Sequence, residues 1–458
     1  MNTDPILFYS TNRKTARVTL REALLLGQAP DRGLFMPETY PKILPGEMVA
    51  LRDRSYPEIA RFVLARFTRG VISEDRLAAL CEDAYDYDVP LERVESRRYL
   101  LRLDRGPTAS FKDFAARMMA RWIGVFMEDD RSELVILTAT SGDTGSAVAH
   151  AYHGVDRVRV VVLFPIAEVS HRQRKQMTTL GGNVTTIGVD GKFDDCQAMV
   201  KRAFADRELS GIRLSSANSI NIGRLLPQAV YYVYAYVRLA KVSEMEPIVF
   251  SVPSGNFGDM MGGVIAGRLG VPVSRFVIAT NANDEVPKFL ATGSYEKIVP
   301  SRVCISNAMN VGHPSNLARL VDAYGGRMDE TGRLLEAADM GRLRRDLFSV
   351  GISDEETRAT IRDAWSRHRV LLEPHGAVGW AGLENYLRTL PAGADPLAVS
   401  IETAHPAKFP EEIRSLLGID PPVPASLLGI EDREESYGRL TTDYEPFKHL
   451  LLENFATS

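Results

Sequence analysis

Lys112 is the residue whose type and setting point most directly to chemistry. It stands between Phe111 and Phe114 in the stretch RGPTASFKDFAAR, residues 105–117, after the rigid turn Gly106-Pro107-Thr108 and ahead of a run of good helix formers. The turn sets the chain direction, and the two rings give the amine an apolar wall. Such a wall disfavours the ammonium form and lowers a lysine's pKa. The neutral amine can then attack a carbonyl and form a Schiff base. By itself the stretch also reads as a surface helix start with Lys112 paired to Asp113, so other segments must decide.

Three loops carry the deciding chemistry. In residues 140–145, TSGDTG, two glycines free the backbone to turn and Ser141 and Thr144 bring hydroxyls. The following helix start is a site for a carboxylate or phosphate. The plain alternative is a strand-to-helix turn with Asp143 or Thr144 as N-cap. In residues 253–259, PSGNFGD, the glycines around Asn256 and Phe257 let successive N–H groups point inward as an anion nest, and a helix beginning near Asp259 adds its dipole. The nest lacks the lysine of a GxxxxGK[ST] loop, which disfavours a nucleotide triphosphate. No GxGxxG ends a strand, which disfavours a dinucleotide. In residues 402–409, ETAHPAKF, Thr403 offers a neutral hydroxyl to a ring nitrogen, while His405 reads as a loop imidazole bonded to backbone rather than as a catalyst.

These loops need a frame that gathers them. Short apolar runs at residues 134–137, 158–164, 184–189, 247–253, 275–280 and 397–402 read as buried strands. Helical patterns at 170–180, 194–204 and 221–240 alternate with them. That alternation predicts an α/β fold with doubly wound parallel sheets, in which ligands bind beyond the carboxyl ends of the strands. Each of the three loops follows a strand. The four tyrosines of 221–240 (Tyr231, Tyr232, Tyr234, Tyr236) read as packing. Residues 1–103 read as a mostly helical lead-in with helices at 19–27 and 56–68, an apolar turn at 33–37 and a solvated helix face over 82–98.

Composition narrows the function. The chain has 458 residues, 45% hydrophobic and 25% charged, as in a soluble globular protein of two or three domains. A net charge of -4 gives no basis for binding nucleic acid or an anionic membrane. Cys81, Cys196 and Cys304 lie far apart, which suits a reducing cytoplasm and no zinc site. The N-terminus lacks the order of a signal peptide, and no apolar run reaches the ~20 residues that span a bilayer. There is no HExxH, His150 and His153 have no further ligand beside them, and there is no GxSxG elbow, so no metal site is expected.

A Schiff-base lysine, an anion nest and a neutral partner for a ring nitrogen together suit pyridoxal 5'-phosphate. The motifs also closely resemble threonine synthase. The resemblance is carried by YSTN at residues 9–12, GLFMP at 33–37, GPTASFKDF, LTATSGDTGSAVAHA, SANSIN at 216–221, SVPSGNFGD, residues 281–287, EPHGAV at 373–378 and TAHPAKFP at 403–410. So many motifs in order are highly specific, and the tail after about residue 418 matches poorly.

The resemblance implies the PLP-dependent fold type II (tryptophan synthase β-like). It implies a lead-in domain at 1–103, a catalytic region at 104–420 with a smaller substrate-loop subdomain around 132–215, and a C-terminal extension at 421–458. Lys112 looks like the lysine that holds the cofactor. Gly255, Asn256, Phe257, Gly258 and Asp259 look like the cofactor phosphate loop, and Thr403 like the partner of the pyridine nitrogen. Ser141, Gly142, Asp143 and Thr144 look like the loop holding the substrate carboxylate, with Asp143 facing the cofactor's phenolic oxygen. Some branches of the family carry Asn at the position of Asp143. Asn221, Ser170 and Lys175 resemble positions near the substrate phosphate. The implied reaction takes O-phospho-L-homoserine and water to L-threonine and phosphate in a cytoplasmic monomer or homodimer. The rivals are a phospho-lyase releasing 2-oxobutyrate and ammonia, another enzyme of the same fold, and a non-catalytic scaffold.

Overall fold

The computed structural model describes residues 4–456; the extreme ends of the expected lead-in and C-terminal extension lie outside them. The lead-in opens with an antiparallel ribbon of β1 (Phe8–Ser10) and β2 (Phe35–Pro37). Residues 33–37 therefore bury their apolar side chains in a strand, not in a turn alone. The helices Leu20–Leu26 and Tyr56–Thr68 form where the periodicity placed them, and each begins with a capping box, Thr19 with Glu22 and Ser55 with Glu58.

The charged stretch 82–98 is not a helix face. The helix Glu74–Ala84 ends inside it, Pro90 blocks continuation, and β3 (Leu91–Glu95) turns back antiparallel onto β4 (Arg98–Arg102). β4 then enters the main sheet, so the lead-in supplies two of its strands.

The smaller sheet is built from β5 (Leu134–Ala139), β6 (Val158–Pro165), β7 (Val184–Val189), β8 (Leu214–Ser215) and β15 (Gly438–Leu440), all parallel in the order β15-β7-β6-β5-β8. The main sheet has the order β13-β10-β9-β14-β4-β3, with β9 (Ile248–Pro253), β10 (Val273–Thr280), β13 (Leu347–Gly351) and β14 (Leu397–Glu402). Only β3 runs antiparallel in it. A short hairpin, β11 (Arg327–Met328) and β12 (Leu334–Glu336), completes the strands. Every residue of β5, β9 and β14 is buried, as expected of parallel strands covered on both faces.

The C-terminal tail is structural. Tyr444, Phe447 and Leu451 of the helix Tyr444–Phe455 share a core with Val135, Leu137, Val161, Ile187 and Met199 of the smaller sheet and its covering helix. Within 221–240, a short turn at Ile222–Arg224 precedes a helix that runs Gln228–Leu239 after Pro227. No helix among the described residues is long and apolar enough to cross a membrane.

Three neighbours in the main sheet, β9, β14 and β4, point their carboxyl ends the same way. Adjacent strands lie ~4.8 Å apart, so the outer two of this trio are separated by about 10 Å. Each is followed by one of the chemically interesting stretches.

Candidate active site

Lys112 opens the helix Lys112–Met127, and its turn is sewn to the end of β14. The Phe111 N–H donates to the Thr403 carbonyl (2.8 Å) and the His405 N–H to the Ala109 carbonyl (3.0 Å). The alternative, a surface pair with Asp113, does not form. Asp113 is buried and accepts from the Thr108 hydroxyl (2.6 Å) and N–H (2.9 Å), which locks the turn. Lys112 Nζ lies 4.5 Å from the centre of the Phe111 ring. Phe114 is not part of that wall. It points into the core against Tyr56, Tyr87 and Tyr231, because two residues along the helix turn it about 200° from the amine's face. Burial pushes the Lys112 ammonium down to about 8; Asp143 opposes the shift and Arg224 and Lys408 add to it. About a tenth of the amine is therefore neutral at pH 7, where an ordinary lysine has well under a thousandth.

The loop after β9 forms the second wall. Phe257 adopts a left-handed conformation (φ 62°) as N-cap of the helix Gly258–Leu269. A Cβ on Gly255 would stand 2.8 Å from the Met309 Cα, so only glycine lets the backbone approach there. The amides of Gly255, Asn256 and Phe257 donate to no acceptor among the described residues. The Asn256 side chain serves the frame: its Nδ2 donates to Ser219 Oγ (2.9 Å) and its Oδ1 accepts from the Ser315 N–H (2.6 Å). Asp259 is buried and its Oδ1 accepts from the Tyr231 (2.6 Å) and Tyr232 (2.7 Å) hydroxyls, while Oδ2 has no partner. Tyrosines expected only to pack thus also hold a carboxyl. Burial pushes that carboxyl up to about 6, against the two hydroxyls and Lys112.

The loop after β5 reaches the cleft from the smaller sheet. Thr140 Oγ1 accepts from the amides of Gly142 (2.9 Å) and Gly145 (2.8 Å), curling residues 140–145 into the start of the helix Asp143–Tyr152. Gly142 has φ 131°, and a Cβ there would meet Gln173 at 2.5 Å. Asp143 is buried and anchored by Lys408 Nζ (2.6 Å) and Gln173 Nε2 (2.9 Å). Despite burial, Lys408 and then Lys112 hold its carboxyl well below the usual carboxylate range. Lys408, wholly enclosed, also donates to the Thr108 carbonyl (2.9 Å), tying this loop to the Lys112 turn.

Thr403 sits at the end of β14, between the other two strands. Its hydroxyl lies 3.4 Å from Glu373 Oε1. Glu373 also receives the Gly376 N–H (2.7 Å) and His375 Nδ1 (2.6 Å). His375 Nε2 accepts from the Ala308 N–H (3.1 Å), which assigns the proton to Nδ1. His405 lies off the cleft and caps its own turn by accepting the Ala407 N–H (3.1 Å), as read from the sequence.

One cleft joins Lys112, Ser141, Asp143, Thr144, residues 254–259 and Thr403. Gly142 stays behind it as the hinge of its loop. Three residues expected at the substrate phosphate do not reach it. Asn221 spends its amide on the Leu24 and Ser216 carbonyls (2.9 Å each). Ser170 caps the helix His171–Thr178. Lys175 Nζ is taken by the Glu431 (3.0 Å) and Arg433 (2.5 Å) carbonyls of the C-terminal segment.

In their place the cleft holds Asn218, Ser219 and Arg224, from the same stretch as Asn221. Arg224 is 3% exposed, donates to the Ala217 carbonyl (2.5 Å) and leaves Nε without a partner; burial lowers its guanidinium to about 10. A buried cation with spare donors facing a cleft is an anion site. Sequence offered one signal for Arg224 and Lys408 alike: a lone cation with no acidic residue beside it, in IGRLLP at residues 222–227 and in PAKFP at 406–410.

The residues fit pyridoxal 5'-phosphate. An amine of lowered pKa, unclaimed amides that a Cβ at Gly255 would crowd, and a hydroxyl at the strand between them converge on a single cleft.

Comparison with known proteins agrees with this geometry. Family models described as "Threonine synthase N terminus", "Pyridoxal-phosphate dependent enzyme" and "Threonine synthase, C-terminal" match residues 7–85, 88–401 and 376–450. The threonine synthase of Haemophilus influenzae is 39% identical over 420 residues, covering 92% of this chain and 93% of that one. That of Escherichia coli is 36% identical over 447 residues, covering 97% and 99%. The crystal structure of PLP-bound threonine synthase from Brucella melitensis superposes with a TM-score of 0.90 at 32% identity, covering 99% of this chain and 100% of that one.

Proposed function

The chain belongs to the threonine synthase family, and from that premise we infer that it converts O-phospho-L-homoserine and water to L-threonine and phosphate with pyridoxal 5'-phosphate as cofactor. The observation that carries the reading is the meeting of Lys112, Thr403 and the 254–259 loop at the ends of three adjacent strands over one cleft.

When bound, pyridoxal 5'-phosphate supplies an electron sink for the charge left when the substrate's Cα loses its proton. Lys112 is the amine that holds the cofactor. The lowered pKa of Nζ would also suit it to take the substrate's Cα proton and to return one at Cγ. The amides of Gly255, Asn256 and Phe257, with the start of the helix Gly258–Leu269, receive the cofactor phosphate. Thr403 meets the ring nitrogen with a neutral hydroxyl.

The substrate brings two more anions. Ser141, Thr144 and the start of the helix Asp143–Tyr152 suit its carboxylate. Arg224, Asn218 and Ser219 suit its phosphate. Asp143, kept charged by Lys408, faces the cofactor from the smaller sheet. The smaller sheet, with β15 and the helix Tyr444–Phe455, acts as the body that shuts the cleft and keeps water out until the last addition. All of these residues come from one chain, so a monomer or homodimer serves equally. Three buried free thiols, Cys81, Cys196 and Cys304, fit a cytoplasmic setting.

Incubation with phosphohomoserine and cofactor tests the reading. L-threonine and phosphate are the expected products; 2-oxobutyrate and ammonia would mean a phospho-lyase instead. Lys112→Ala is expected to lose both the visible absorbance of the bound cofactor and turnover, and retention of both would remove Lys112 from its role.

A further inference from the structure

Arg319 is a fully enclosed guanidinium on the short helix Leu317–Ala323, behind the anion cradle rather than in the cleft. It forms no ion pair among the described residues; Asp322 of the same helix is taken by Arg13 (2.6 Å) and Tyr9 (2.6 Å). Its donors go to neutral oxygens. Nε reaches the Phe35 carbonyl (3.2 Å), Nη2 the Ile220 carbonyl (2.6 Å), and Nη1 the Ser219 carbonyl (2.8 Å) and Asn316 Oδ1 (2.5 Å). A buried cation without a counter-ion is costly unless fixed dipoles or a ligand's charge offset it.

The bond to Asn316 leads to the cradle. Asn316 accepts from Arg319 through Oδ1 and donates through Nδ2 to the Asn256 carbonyl (2.8 Å) and to Ser219 Oγ (2.9 Å). The Asn256 carbonyl belongs to the same peptide group as the Phe257 N–H, an amide without an acceptor among the described residues. Hydrogen bonds in series polarise one another, more so at low dielectric. A charge at Arg319 strengthens Asn316 as a donor. That donor pulls density from the Asn256–Phe257 peptide and makes the Phe257 N–H a better partner for an anion.

We propose that Arg319 is a positioning residue that conveys a buried positive charge through Asn316 to the Phe257 amide, and so tunes the cradle for the phosphate group of the cofactor. By gripping the Ser219 and Ile220 carbonyls it also sets the wall beside Arg224, and through Phe35 it anchors the lead-in ribbon to both. This rests on the reading of residues 254–259 as a cofactor phosphate site.

The experiment is titration of the apo-protein with pyridoxal 5'-phosphate and, separately, with pyridoxal, which lacks the phosphate. Binding is followed by tryptophan fluorescence and checked by equilibrium dialysis. For Arg319→Met the preference for the phosphorylated form is expected to fall by about tenfold, while pyridoxal affinity stays within about twofold. Arg319→Lys, which keeps the charge without the fork, is expected to fall between Met and wild type. If Arg319→Met does not fold, Asn316→Ala decides, because it cuts the path and leaves the other Arg319 bonds in place. Its preference is expected to fall as well. An unchanged ratio in a folded variant, or equal weakening of both ligands, overturns the proposal. Wild-type protein that binds pyridoxal and pyridoxal 5'-phosphate equally overturns the cradle reading itself.

Discussion

Asp143 and Asp259 belong to two walls of one cleft and differ in charge state for a reason that burial does not supply. Both lie in the first turn of a helix, both are buried and both act on Lys112. Asp143 has a cation at 2.6 Å, Lys408, and stays ionised well below the usual carboxylate range. Asp259 has only two tyrosine hydroxyls on one oxygen, and burial pushes it up to about 6. Desolvation is the leading influence in each case, so the charged partner decides the outcome. The wall from the smaller sheet carries a fixed negative charge balanced in place. The cradle wall carries a carboxyl that can gain a proton where an anion must bind.

The largest break in this comparison is Lys408→Met. It leaves Asp143 buried without its cation, and urea unfolding of the apo-protein is expected to show a loss of about 3–5 kcal/mol. Adding Asp143→Asn is expected to recover much of that loss; no recovery would mean that Lys408 acts through Thr108 alone. Next comes pH. Asp259 has a folded-state pKa above its unfolded value of about 4, so the native state holds the extra proton between roughly pH 4 and 6. Stability from this group is therefore greatest at low pH and falls as pH rises through about 6, by about 3 kcal/mol in all. Asp143 runs the other way. Its contribution is present above the unfolded pKa of about 4 and is lost as pH falls below it. Asp259→Asn should flatten the profile between pH 4 and 6, and Asp143→Asn should leave that window alone; a profile that ignores Asp259→Asn would refute the assignment.

A finer break is Tyr231→Phe or Tyr232→Phe. Each removes one donor to Asp259, and each is expected to cost about 1 kcal/mol and to raise the Asp259 midpoint further in a carboxyl carbon-13 NMR titration. A midpoint that stays or falls would show that the hydroxyls do not favour the carboxylate. The smallest expected effect is Asn307→Ala. It removes a 3.4 Å contact to Gln173 Oε1, behind Asp143, and should change stability by less than about 0.5 kcal/mol.

Much of this arrangement was legible in residue order. The strands at β5, β6, β7, β9, β10 and β14 announce themselves as apolar runs between helices, and the glycine-rich loops after β5 and β9 follow them directly. Several strands that escaped notice had no such run. β8 spans two residues, β15 reads GRL, and β3 with β4 alternates charged and apolar residues in a way that also fits a helix surface. Missing β4 hid the fact that Lys112, too, follows a strand of the main sheet. Asn221 and Arg224 show the limit at the site. Three residues apart, they present the same polar promise in sequence, but the turn Ile222–Arg224 sends one amide into the frame and the other's guanidinium to the cleft.

The order of residues alone determined the chemistry on offer: an amine beside an aromatic ring, glycine loops able to bare their amides, a hydroxyl after a strand. Those properties are local, set by side-chain type and by backbone freedom within a few residues. Only the folded chain decided which groups carry charge. Lys408 and Asp143 lie 265 positions apart and Arg319 and Ser219 lie 100 apart, so no local pattern reveals their pairing. Charge in a protein interior depends on what stands within a few ångströms through space, and that distance exists only once the sheets have brought their ends together.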